Sequence, residues 1–313
     1  MVALALLGLI RLICMHVDIF GKAGRSLVSA AAMEFVHANG PFHNKTKVIF
    51  VLGSTGCGKT KLSIDLATRF NGEIINSDKI QVYKGLDIVT NKATKPEQRG
   101  ILHHLLGSIQ DPEADFTVQD FCLQVPKALD EITKRNRVPI IAGGSNTYIE
   151  ALVEDPTLRF QDKYDCCFIW LDVSLPVLYN RVSERVDEMV DAGLVDELRE
   201  MFVPGADYER GIRRAIGAPE MHAYFMAEMD HSADKARKEF LFKDGIQKTK
   251  DNTLKLAESQ VQKIERLRTK WDIHRIDVTA VHESCGKKAV VAWENLVLKP
   301  SFSIVSEFLE MDG

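Results

Sequence analysis

Short unbroken apolar runs alternate with longer stretches in which apolar residues recur every three or four positions. The runs at 47–52, 73–77, 138–142 and 166–173 are rich in Val, Ile and Phe and bounded by Gly, Pro or Asn, which predicts strands. Between them, 62–70 and 119–135 show helical spacing; Phe121, Val125, Leu129 and Ile132 would form one apolar face of the second. Strand–helix alternation of this kind implies a parallel sheet covered by helices on both faces. After residue 173 the period changes. The stretches 175–192, 195–202, 217–229 and 235–270 read as helices, and 273–277 as a strand returning to the sheet. The expected organisation is a leader over 1–44, an α/β core over 45–173, a mostly helical insertion or lid over 174–271, and a return to the core with a C-terminal tail over 272–313.

Within that frame one loop carries the strongest chemical signal. Gly53-Ser54-Thr55-Gly56-Cys57-Gly58-Lys59-Thr60 follows a predicted strand and opens a predicted helix, the context that a G-x-x-x-x-G-K-[ST] phosphate loop requires. Its glycines let backbone N–H groups curl around an anion at a helix N-terminus. Lys59 adds a full charge and Thr60 a hydroxyl suited to Mg2+. The fold class is therefore α/β, a phosphate-loop NTPase-like parallel sheet flanked by helices, with a smaller helical insertion. A di- or triphosphate is expected to bind; the loop alone does not say which.

Two more stretches follow predicted strands and should share the same cleft. Asp78, in Asn76-Ser77-Asp78-Lys79-Ile80-Gln81-Val82-Tyr83, is placed to ligate Mg2+, accept a proton or cap a helix. Gln81 and Tyr83 divide evenly between substrate contact and packing. Gly143, Gly144, Ser145 and Thr147 form either a ligand-approaching turn or a plain one. Asp172 closes an apolar strand and suits either Mg2+ or a helix cap. The pair Arg213-Arg214, flanked by glycines, suits a phosphate clamp better than a surface ion pair. His103 and His104 point apart whether on a strand or a helix, so packing is expected of them.

Bulk composition narrows the classes. A net charge of −4, with 45% hydrophobic and 27% charged residues, is that of an ordinary globular chain and offers no general attraction for nucleic acid. Only 231–271 carries an excess of Lys and Arg, read as a solvated helical face before a phosphate-binding surface. The six cysteines show no zinc spacing and suggest a reducing compartment. Residues 1–44 contain no apolar run long enough to span a bilayer and few acids, which allows an organelle transit peptide. Plastid is the expected location, with cytoplasm as the alternative.

The runs NSDKIQVYKGLDIVTNKAT (76–94), HHLLGSI (103–109), IIAGGSNTYIEAL (140–152), CCFIWLDVS (166–174), RVDEMVDAGLVDE (185–197) and GIRRAIGAPE (211–220), joined to the phosphate loop, resemble the plant adenylate isopentenyltransferases that make cytokinins. The resemblance covers about 45–310 and extends more widely to the tRNA dimethylallyltransferases. It implies transfer of the dimethylallyl group of dimethylallyl diphosphate to N6 of AMP, ADP or ATP, releasing pyrophosphate. It also implies that the loop, 53–60, holds the donor's diphosphate, with Lys59, Thr60 and Mg2+ stabilising the leaving group. Asp78 would match the catalytic base, Thr55 a donor-side contact, and Arg213 and Arg214 a phosphate clamp. Gly143, Gly144 and Ser145 would line the same site. Lys163 stands where relatives usually carry Arg, which implies a weaker clamp on diphosphate; Leu102 replaces a usual Pro. The rivals are a tRNA dimethylallyltransferase, opposed by the acidic charge, the absence of a C-terminal Cys/His zinc pair and Lys79 after the aspartate, and a small-molecule kinase, opposed by Asp78-Lys79-Ile80-Gln81. A monomer with no stable nucleic-acid partner and no membrane association is expected.

Overall fold

Six parallel strands form one sheet in the order β3-β2-β4-β1-β5-β6, in a computed structural model that describes residues 45–311. β1 (Thr46–Gly53) lies at the centre, hydrogen-bonded to β4 on one side and β5 on the other. Its alternation explains the placement. Val48, Phe50 and Leu52 face one apolar core, Ile49 and Val51 the other, and all five are fully buried. A strand buried on both faces must read as an unbroken apolar run, as this one does. The helix α1 (Lys59–Phe70) returns the chain to β2 (Gly72–Asn76), and a two-residue strand β3 (His103–His104) closes that edge.

The amphipathic helix α2 (Val118–Lys134) starts at a capping box between Thr117 and Asp120 and buries all four of the apolar residues that predicted it. β4 (Val138–Ala142), α3 (Asn146–Glu154) and β5 (Tyr164–Asp172) complete the central part. Then come α4 (Leu175–Asp191), α5 (Leu194–Met201), a single 3₁₀ turn (Gly211–Arg214), α6 (Ala218–Met229) and the 33-residue α7 (Lys235–Leu267). β6 (Ile273–Asp277) rejoins the sheet with the predicted bounds. From Thr46 to Met311 the expected core, insertion and return form one compact unit.

The tail holds more structure than its sequence suggested. After β6, α8 (Gly286–Trp293) runs through a π-helical turn into α9 (Lys299–Glu310), and Trp293, Val297 and Val305 are buried against the second core. Among the described residues no helix is long and apolar enough to cross a membrane. The expected leader, 1–44, lies outside the described residues.

Candidate active site

The carboxyl ends of β1, β2 and β4 open into a cleft of about 960 Å³, large enough for two small substrates side by side. All three predicted stretches reach it: Thr55, Gly56, Gly58, Lys59 and Thr60 from the loop, Asn76 and Asp78 to Gln81 from the second stretch, and Gly143 and Gly144 from the third.

The loop is built as its glycines require. Gly58 sits at φ +100, and a Cβ there would meet the Trp293 ring at 3.0 Å, so both conformation and space demand glycine. The Trp293 indole donates to the buried Asp65 carboxylate at 3.1 Å, and the Lys61 ammonium lies 3.9 Å above its ring. Lys59 donates to the Ser54 carbonyl at 2.6 Å, and its ammonium lies 4.0 Å from the Cys57 sulfur. Burial lowers the Lys59 pKa, and the neighbouring Arg185 pushes it the same way. Burial also lowers Arg185, with Arg181 adding to the effect. Desolvated cations that repel one another mark a place where an anion of high charge would be strongly held.

Across the cleft, one carboxylate oxygen of Asp78 is anchored and the other is free. Oδ1 accepts from the N–H groups of Ile80 (2.9 Å) and Gln81 (3.2 Å). Oδ2 faces the Gly143–Gly144 turn. That turn packs so closely that a Cβ on Gly143 would lie 2.4 Å from the Ser77 carbonyl carbon. Ser145 does not line the cleft; its hydroxyl accepts from Lys79 N–H at 2.9 Å and locks the two turns together. Gln81 lines the cleft, but its amide holds the carbonyls of Thr90 and Asn91, and the fully buried Tyr83 donates to the Ala114 carbonyl. An apolar wall from Val89, Val186, Met189, Ile216 and Leu256 completes the space.

Beyond Ser145, three expectations fail on geometry. Lys163 is exposed and precedes the first residue of β5, whose nine residues put it about 30 Å from the carboxyl ends where the loop lies. Neither a clamp nor a weakened one can be built there. Asp172 pairs through Oδ2 with Arg275 on β6 at 2.6 and 2.7 Å and does not line the cleft. Arg213 turns away from the cleft to Glu113 (2.6 Å) and the Met201 carbonyl (2.6 Å); Arg214 alone lines it, near the Tyr83 hydroxyl. Gly53, Ser54 and Cys57, expected with the rest of the loop to touch the ligand, are buried and do not line the cleft. His103 and His104 split: His104 bonds the buried Glu73 carboxylate at 2.8 Å, whereas His103 reaches the cleft wall.

The sequence offers Thr60 and Asp172 as ligands for Mg2+. Among the described residues no group of three or more His, Cys, Asp or Glu side chains could hold a metal ion. Of the two expected ligands Asp172 lies outside the cleft lining, and the exposed Thr60 hydroxyl fits as a ligand to an ion carried on a substrate's phosphates.

Arg185 and Gln260 also line the cleft, although no local motif marks either. Arg185 lies one turn after Arg181 on the helix face that buries Leu178, Val182 and Val186, and a cation beside such a stripe was a usable signal. Gln260 lies between Ala257 and Ile264 on the buried face of α7.

The family model described as IPP transferase matches residues 81–162 and 154–266. A chloroplastic adenylate isopentenyltransferase of Arabidopsis thaliana is 54% identical over 272 residues, covering 86% of this chain and 82% of that protein. A mitochondrial one from the same plant is 50% identical, covering 87% and 83%. Among solved structures, a eukaryotic dimethylallyltransferase acting on tRNA superposes with a TM-score of 0.69 at 24% identity, covering 84% of this chain and 79% of that one. The tRNA isopentenylpyrophosphate transferase of Bacillus halodurans gives 0.65 at 25%, covering 85% and 100%.

Proposed function

The chain belongs to the IPP transferase family, and from that premise we propose that it is an adenylate isopentenyltransferase: it moves the dimethylallyl group of dimethylallyl diphosphate to N6 of an adenine nucleotide. One observation carries the chemistry. A carboxylate with a free oxygen, Asp78, shares one cleft with the desolvated cations Lys59 and Arg185, and its charge favours the protonated form of both.

The donor's diphosphate lies against the loop amides, Lys59 and Arg185, and its five-carbon chain lies on the apolar wall. The N6 amine approaches C1 from the Asp78 side. As the N6–C1 bond forms and the C1–O bond breaks, the electron pair leaves with pyrophosphate, whose growing charge the cations stabilise. The proton lost by N6 passes to Asp78 Oδ2. An ordinary carboxylate suffices, because the alkylated amine is strongly acidic until it loses that proton. Mg2+ travelling with the diphosphate would share the neutralisation, with Thr60 as the residue that holds it. Arg214 is the cation placed for the nucleotide's own phosphates. The first 44 residues act as a plastid-targeting leader, a reading supported by the chloroplastic relatives, and the chain works as a monomer.

The test supplies the protein with Mg2+, dimethylallyl diphosphate and, in turn, AMP, ADP, ATP and unmodified tRNA. Mass analysis should find N6-dimethylallyl nucleotide and stoichiometric pyrophosphate. Prenylation of tRNA alone, or a phosphorylated acceptor, would overturn the reading.

A further inference from the structure

The buried face of α7 carries Thr249, Ala257, Gln260, Ile264 and Leu267. Gln260 is 6% exposed, and both ends of its carboxamide are used. Oε1 accepts from the Thr55 backbone N–H at 2.7 Å. Nε2 donates to the Gly144 carbonyl at 3.0 Å. The first contact belongs to the phosphate loop, the second to the turn that backs Asp78. A Cβ built on Gly144 would lie 2.5 Å from Gln260 Nε2 and 3.3 Å from Asp78 Oδ2, so the carboxamide sits beside the base as well. One side chain from the insertion thus touches the donor half and the acceptor half of the cleft. A planar carboxamide has a fixed span between its donor and acceptor, so it transmits the position of one half to the other.

We propose that Gln260 is a positioning residue: it braces the loop against the Gly143–Gly144 turn and thereby keeps N6, rather than water, in line with C1. The proposal rests on the transfer reading above. An allylic C1–O bond breaks readily once its diphosphate is stabilised, and whichever nucleophile is in line takes the carbon. The amine gives prenyl nucleotide, its proton passing to Asp78. Water gives dimethylallyl alcohol and a proton. Pyrophosphate leaves in both cases, so the ratio of alcohol to prenyl nucleotide reports alignment independently of how much active protein is present.

In Gln260→Ala both contacts are lost. A misplacement of about 1 Å costs roughly a hundredfold in an aligned reaction. Transfer should therefore fall about a hundredfold while donor consumption falls less, raising the alcohol ratio at least about tenfold. Gln260→Glu keeps the length and the acceptor for Thr55 but loses the donor to Gly144; its ratio should lie between parent and Ala, and it decides the matter if the Ala variant does not fold. The exposed neighbour Gln262→Ala should leave the ratio unchanged. Proportional loss of both products in variants that melt cooperatively overturns the proposal, because a merely structural residue would produce that. A tighter donor KM with an unchanged ratio overturns it too, because Gln260 would then only compete for the Thr55 amide. Absence of prenyl transfer by the parent would instead defeat the transfer reading itself.

Discussion

At the scale of single residues, the division of labour across the cleft sets what each substitution should do. Asp78→Ala removes the free Oδ2 and should lower turnover by about 10²–10⁴ while leaving donor binding measurable by calorimetry. The two arginines should separate cleanly. Arg214→Ala, in the cleft, should raise the nucleotide KM and leave the melting temperature near that of the parent. Arg213→Ala loses its bonds to Glu113 and Met201 and should cost stability, roughly 1–2 kcal/mol by denaturant titration, with kcat/KM preserved. Burial lowers Lys59 below its ordinary 10.5, so it loses its proton earlier than an exposed lysine as pH rises. The alkaline limb of kcat/KM for the donor should accordingly fall below that value, whereas kcat at saturating donor should hold longer because bound diphosphate retains the proton. A profile flat to pH 10.5 would contradict this. Much of the site was legible because a phosphate loop and Asp-x-x-Gln are local patterns. Which of two adjacent arginines faces a ligand is not local: it depends on where Glu113 and Met201 come to lie.

At the scale of elements, periodicity recovered the main strands and helices to within a residue or two, except where the loop extends α1 and where α7 stops at Leu267, three residues short of its expected end. It missed β3 because two residues have no period. That edge nonetheless matters: Glu73 on β2 is buried and bonded to both Arg135, at 2.7 and 2.9 Å, and His104 on β3. Burial alone would raise its carboxyl pKa, but these partners hold it below the usual 4.5. A carboxylate depressed in the folded state binds protons less readily there than in the unfolded chain. Its contribution is therefore present above pH 4.5 and lost as pH falls through the folded value. Glu73→Gln should cost roughly 1–3 kcal/mol at pH 7, and the gap to the parent should close on acidification when melting is followed by circular dichroism. Asp172 departs from its expected role for a related reason. An acid at the end of a strand suits Mg2+ until the neighbouring strand, 103 residues later, supplies Arg275.

At the scale of the whole molecule, the helical insertion and the C-terminal tail both bear on the loop, through Gln260 and Trp293 respectively. Neither tie was legible, because each joins residues more than 200 positions apart. Trp293→Ala should cost about 3–5 kcal/mol and loosen the loop, seen as a raised donor KM and faster amide exchange over 54–60. The distance between Trp293 and Asp65, 228 residues, also acts in time. A chain is made from its N-terminus at about 5–20 residues per second, so the ribosome finishes the phosphate loop on the order of 10–50 s before the indole that covers it. During that interval the apolar seat beneath Gly58 is open on the nascent chain. Acquisition of the donor site is thus one of the last events of biogenesis, and a message cut short before residue 293 yields a protein that has its signature motif but lacks that motif's cover.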